Sequence, residues 1–145
     1  MKSDEKDCPF CRLVRHELNA VVVHEDDEIL AIMDLYPATP GHILVLPKRH
    51  IENIYVMPAD LGARIMATAI AVAKAIKQKV SPDGLNLIQS NELAAGQTIP
   101  HFHLHIVPRY NGDPVSLRFG HDSVPAKIND LEKEASLINS ALALR

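Results

Sequence analysis

The stretch His101-Phe102-His103-Leu104-His105-Ile106-Val107 alternates imidazole with large apolar side chains. In an extended strand successive side chains point to opposite faces, and residues two apart sit about 6.6 Å from each other on the same face. The alternation predicts a strand over about residues 102–107, with three histidines on one face and Phe102, Leu104 and Ile106 buried on the other. Imidazole titrates near neutrality, with an ordinary pKa of about 6.5, so such a row suits a neutral nucleophile, a proton carrier or a set of metal ligands. A His-x-His pair on one face also offers a metal two ligands. The three residues alone leave both chemistries open.

Working outward, the polar small-residue loop before this strand holds Asn91, Gln97 and Thr98, neutral donors of the kind that suit phosphate oxygens. Leu85 to Gln89 reads as a strand. Residues 59–80 read as the clearest helix, with the apolar stripe Leu61, Ile65, Ala69, Val72, Ile76 and Val80, Asp60 at its start and Lys74, Lys77 and Lys79 towards its end. Ile43 to Leu46 is a buried-strand pattern stopped by Pro47. Val21 to His24 and Ile29 to Met33, joined by Glu25-Asp26-Asp27-Glu28, form a hairpin pattern. Phe10, Leu13 and Val14 suggest a short helical turn. Beyond Pro108 the chain reads as loop until a weaker helix from about Ala126. The order predicts an α+β domain: an antiparallel sheet of about five strands with one long helix, a short N-terminal helix and a C-terminal helix. Alternating βα units are too few for a doubly wound sheet, and no glycine-rich phosphate loop is present.

The chain has 145 residues, 47% apolar and 23% charged. This fits a single domain of ordinary size, with no internal repeat. No apolar run approaches the roughly 20 residues of a membrane span. The polar start, Met1 to Asp7, lacks the apolar core of a secretory leader, so the expected compartment is the cytosol. A net charge of −3 gives no global field for a nucleic acid backbone, so an anionic ligand must be held by local donors. Cys8 and Cys11, three apart in a reducing compartment, argue against a structural disulfide and leave metal and redox chemistry open. The redox motif belongs between a strand and a long helix, a setting this terminus lacks.

The string from His101 to Val107 matches the histidine triad motif, His-φ-His-φ-His-φ-φ with φ apolar, and the chain resembles that family of nucleotide hydrolases and transferases. Cys8-Pro9-Phe10-Cys11, the strand ending in Asp34, the segment Pro40-Gly41-His42-Ile43-Leu44-Val45-Leu46-Pro47-Lys48-Arg49-His50, and Gly96-Gln97-Thr98 follow in the family's order. The resemblance spans about residues 8–110 and leaves an extension over 111–145. It implies that His103 attacks the α-phosphorus of a nucleotide, giving a nucleotidyl-histidine resolved by water or another acceptor. It implies that His105 contacts the phosphate and assists the leaving group, and that Gln97, Thr98 and, to a lesser extent, Asn91 hold phosphate. Asp34 then meets the ribose hydroxyls, and Phe10, Leu13 and Ile32 form an apolar slot for a purine. Similarity to the zinc-containing branch implies a structural zinc on Cys8, Cys11, His50 and His101. The substrates implied are purine nucleoside phosphoramidates or related conjugates, with dinucleoside polyphosphates as the alternative. A nucleotide-binding scaffold and a metal-dependent hydrolase using the triad as ligands are the rivals. A homodimer is also implied.

Overall fold

Ile29, Ala31, Ile43 and Val45 turn to one side of a sheet, and Leu30, Ile32, Leu44 and Leu46 turn to the other. Both sides are covered, which is why these strands read as continuous apolar runs. The computed structural model describes residues 3–117, 119 and 124–144, with side chains from residue 5. Its elements are α1 (Ser3–Asp7), α2 (Pro9–Val14), β1 (Val22–Glu25), β2 (Ile29–Met33), β3 (Ile43–Pro47), a 3-10 turn (Ile54–Val56), α3 (Ala59–Lys79), β4 (Gly84–Gln89), a second 3-10 turn (Leu93–Ala95), β5 (Leu104–Arg109) and α4 (Ile128–Ala141). The strands pair antiparallel in the order β1-β2-β3-β5-β4. The fold is the α+β arrangement expected, five antiparallel strands with one long helix and helices towards both ends.

The β1–β2 turn is fixed by Asp26, whose Oδ1 accepts from the amides of Glu28 and Ile29, each at 2.8 Å. Helix α3 buries Leu61, Ile65, Ala69, Val72 and Ile76 on the face formed by Ile29, Ala31, Ile43, Val45, Phe102, Leu104 and Ile106. Val80, the last member of the expected stripe, caps the helix and is exposed. The opposite face carries α2, which starts at Pro9 inside the Cys-x-x-Cys knuckle instead of after it. Pro9 suits the first helical position, and the Cys8 sulfur accepts from the Cys11 amide at 3.5 Å.

The histidine strand begins later than its alternation suggests. Strand β5 starts at Leu104, because the Phe102 amide bonds to Ile51 O at 2.6 Å and the His101 amide to Ile99 O at 2.8 Å, outside the ladder. Parity still holds across the lead-in: Phe102, Leu104 and Ile106 pack under α3, while His101, His103 and His105 turn to the α2 side. The strand also runs through Pro108, where the sequence suggested an end. Pairing with β3 reaches only Ile43↔Ile106, so no β3 residue pairs with Pro108.

The chain divides into two compact units, Met1–Val115 and Ser116–Arg145. In the second, α4 starts at Ile128, and its apolar residues Ile128, Leu131, Ile138 and Leu142 are exposed. Residues 118, 120–123 and 145 of the expected extension lie outside the described residues. Among the described residues no helix is long and apolar enough to cross a membrane.

Candidate active site

The ends of α2 and β3 and the lead-in to β5 converge on four ligand atoms. His101 Nδ1 lies 3.4 Å from Cys8 Sγ and 3.5 Å from Cys11 Sγ, and His50 Nδ1 lies 3.3 Å from Cys11 Sγ. All four atoms are within 4.8 Å of one another. A tetrahedral zinc with sulfurs at about 2.3 Å and nitrogens at about 2.0–2.1 Å requires S···N edges of about 3.5 Å. The set fits. The other ring nitrogen fits as well: His101 Nε2 faces Pro47 O at 2.8 Å, so that nitrogen carries the proton and donates, leaving Nδ1 as a lone pair aimed at both sulfurs. Without a metal, burial pushes the Cys11 thiol up to about 12, and the neighbouring Cys8 adds to the shift. A redox dithiol needs the opposite, an exposed thiol of depressed pKa.

His101 serves the site a second time through its backbone. His103 Nδ1 lies 2.7 Å from His101 O, and a carbonyl only accepts, so His103 carries its proton on Nδ1 and a free electron pair on Nε2. Burial lowers the pKa of His103 below its ordinary 6.5 and keeps the ring neutral. The ring is held edge-on between Phe10, at 5.0 Å, and His105, at 4.9 Å. Among the described residues the three triad rings do not share a metal-ligand cluster; His101 belongs to the sulfur cluster, and the other converging set is Asp34, His42 and His105.

His42 was not singled out from the sequence, yet it completes the row. Its Nδ1 accepts from the Ala38 amide at 2.9 Å, so in the neutral ring the proton sits on Nε2. That Nε2 lies 2.9 Å from His105 Nδ1 and 3.4 Å from Asp34 Oδ2. Donation from His42 to His105 Nδ1 places the proton of neutral His105 on Nε2. Burial, then repulsion from His103 and His42, lowers the pKa of His105 to about 4. Burial lowers His42 too, against the attraction of Asp34. A metal at this second cluster is disfavoured, because a ligating imidazole needs an acceptor at its other nitrogen and Ala38 presents a donor. The signal for His42 was strand parity: it precedes β3 on the same side as Leu44, whose register partner is His105.

A cavity of about 880 Å³ opens beside these rings. His103, His105, Thr98, Asp34, Phe10, Leu13 and Ile32 all line it, so seven of the sequence-selected residues meet there. Among the described residues no Lys or Arg lines it. Asp34 Oδ1 accepts from the Tyr36 amide at 2.9 Å, which leaves Oδ2 towards His42. Asn91 and Gln97, the other residues expected at a phosphate, are not among those lining the cavity. Gln97 is buried, its Oε1 accepting from the Glu92 amide and its Nε2 donating to Glu52 O and Ile99 O. Asn91 Oδ1 accepts from the Ile54 amide at 2.8 Å, and its amide exchanges hydrogen bonds with Gln89. Both side chains brace the loop that presents Thr98.

A Streptococcus mutans protein of known crystal structure superposes with a TM-score of 0.89 at 36% identity, covering 94% of this chain and 86% of that one. A Zn-bound histidine triad family protein from Mycobacterium smegmatis does so with a TM-score of 0.73 at 33% identity, covering 95% of this chain and 99% of the other. An adenylylsulfatase of Arabidopsis thaliana is 33% identical over 138 residues, 95% of this chain and 68% of that protein. The HIT domain matches residues 15–112. A domain match that takes in more than half of the chain, on a fold with these five strands and this row of imidazoles, places the protein in the HIT domain family.

Proposed function

We propose that the protein is a nucleotide-binding hydrolase or nucleotidyltransferase that cleaves the α-phosphate linkage of purine nucleoside phosphoramidates or related conjugates through a nucleotidyl-His103 intermediate. The observation that carries this reading is the Nδ1–H of His103 held by His101 O, which leaves Nε2 as a neutral nucleophile at the wall of a cavity. The adenylylsulfatase relative supports a nucleotide α-phosphate as the site of attack. Phe10, Leu13 and Ile32 give the base an apolar slot, Asp34 accepts from the ribose hydroxyls, and Thr98 meets the phosphate. Among the described residues the cavity wall carries no Lys or Arg, which favours a single phosphate charge over a polyphosphate chain.

The reaction balances in two steps. An anionic phosphate beside His105 favours an added proton on the His42–His105 pair; His42 Nδ1 faces the Ala38 N–H, so this shared proton is held on His105 with His42 Nε2–H turned to Asp34 Oδ2. His103 Nε2 attacks phosphorus as the P–N bond to the leaving group breaks, and the shared proton goes to the departing amine. Water then attacks the nucleotidyl-histidine, the P–Nε2 bond breaks, a water proton returns to the pair, and the nucleoside monophosphate leaves. Cys8, Cys11, His50 and His101 would hold a zinc with no open position, which fixes the corner from which the His101 carbonyl reaches His103. We read residues 1–145 as one family domain with an extension over 111–145. A homodimer is expected to form through the free edge of β4, where Leu87 is exposed.

The test is a hydrolysis screen of adenosine and guanosine phosphoramidates against dinucleoside polyphosphates, with His103→Ala as control. Phosphoramidate turnover that vanishes in the variant, with an acid-labile nucleotide trapped on the wild-type protein, supports the reading. Undiminished turnover in His103→Ala rejects it. AMP binding with no turnover across the panel would instead mark a scaffold.

A further inference from the structure

Helix α2 stands between the metal cluster and the cavity. Cys8 caps it and Cys11 lies within it, while Pro9, Phe10 and Leu13 line the cavity. Phe10 is buried, and its ring meets the rings of both His101, at 5.7 Å, and His103, at 5.0 Å, edge to face. Cys8, Phe10 and Cys11 belong to one packed cluster with Leu30, Ile32, Leu44 and Leu46. A helix of six residues has almost no stability of its own. Its order comes from that packing and from what its two sides meet, ligand atoms on one and the occupant of the cavity on the other.

We propose that metal binding at Cys8, Cys11, His50 and His101 and nucleotide binding in the cavity favour each other, with Phe10 as the positioning residue that links them. Metal binding fixes both cysteines, and with them the wall against which a base packs. A base packed on Phe10 and Leu13 in turn fixes the helix that presents the thiolates. Each ligand therefore arrives at a helix the other has already ordered, and the linkage is reciprocal by thermodynamic necessity. The inference rests on the nucleotide reading above. Inorganic phosphate, which reaches the imidazoles but has no base to pack on α2, leaves the metal affinity unchanged.

The experiment is a chelator competition on the full zinc-loaded chain, measuring zinc affinity alone, with saturating AMP and with phosphate. AMP is expected to tighten zinc binding about fivefold or more, the usual scale of coupling between two sites. In Phe10→Leu, whose folding is checked by circular dichroism, the AMP effect collapses towards unity. Zinc affinity that is the same with and without AMP, while calorimetry shows AMP bound, overturns the coupling and leaves the functional reading intact. Coupling undiminished in Phe10→Leu overturns the role of that ring. Failure of AMP to bind the zinc-loaded protein removes the functional reading, and the coupling with it.

Discussion

His42 Nε2 sits 2.9 Å from His105 Nδ1, and this contact decides where the His105 proton resides. Loss of the His42 ring frees His105 to place its proton on either nitrogen and removes its partner in the pair that holds the added proton. His42→Ala is expected to lower kcat about a hundredfold, the low end of the range for general acid catalysis, with KM little changed. Steady-state kinetics check it, and an unaltered kcat removes His42 from the proton path.

Asp34 lines the cavity, with Oδ2 3.4 Å from His42 Nε2, and is the only carboxylate among the described lining residues. Asp34→Ala is expected to raise KM for a ribonucleoside phosphoramidate about tenfold, the loss of one or two charge-assisted hydrogen bonds. The 2′,3′-dideoxy substrate is expected to show the same deficit with wild-type protein and no further loss with the variant. Additive losses would place the ribose elsewhere.

As the proposed nucleophile His103 must be neutral, so activity is expected to be lost as pH falls through its pKa. Burial sets that pKa below 6.5. The acid limb of kcat/KM is expected below pH 6.5, with no further gain from deprotonating this ring above it. An acid limb centred at or above 6.5 contradicts the burial of the ring in the free protein.

Elemental analysis is expected to find one zinc per chain and a marked loss in Cys11→Ser. Chelation is expected to lower Tm, because a ligand bound only by the folded chain stabilises it. Activity is expected to decay slowly, with the metal. Complete inactivation within the mixing time would make the ion a participant in the reaction.

Ile65, only 2% exposed, packs in the core between α3 and the sheet. Ile65→Ala is expected to destabilise the fold by about 2–5 kcal/mol, the range for large-to-small changes in a packed core. Urea unfolding measures it, and a change under about 1 kcal/mol would show a looser core than the burial implies.

What could be read ahead of the structure followed from periodicity. The stripe of α3 and the apolar runs of β2 and β3 are local patterns that tertiary packing reinforces, and they fall within a residue or two of expectation. The start of β5 was not legible, since it depends on Phe102 finding Ile51, about a third of the chain away. The bonds of Gln97 were hidden for a related reason: a glutamine beside a phosphate site and one knitting three backbone groups together look alike in sequence. His42 is a different case. Its position before β3 was visible, but its value appears only once the Leu44↔His105 register sets two strands side by side.

His101 divides its work between ring and main chain, and the two halves are separable by mutation. Every amino acid supplies a carbonyl at position 101, whereas only a few supply a donor atom for an ion. A descendant that abandons Cys8, Cys11 and His50 together can therefore also abandon the imidazole at 101 and still grip its nucleophile, provided other packing stiffens that corner. No comparable freedom exists at position 103.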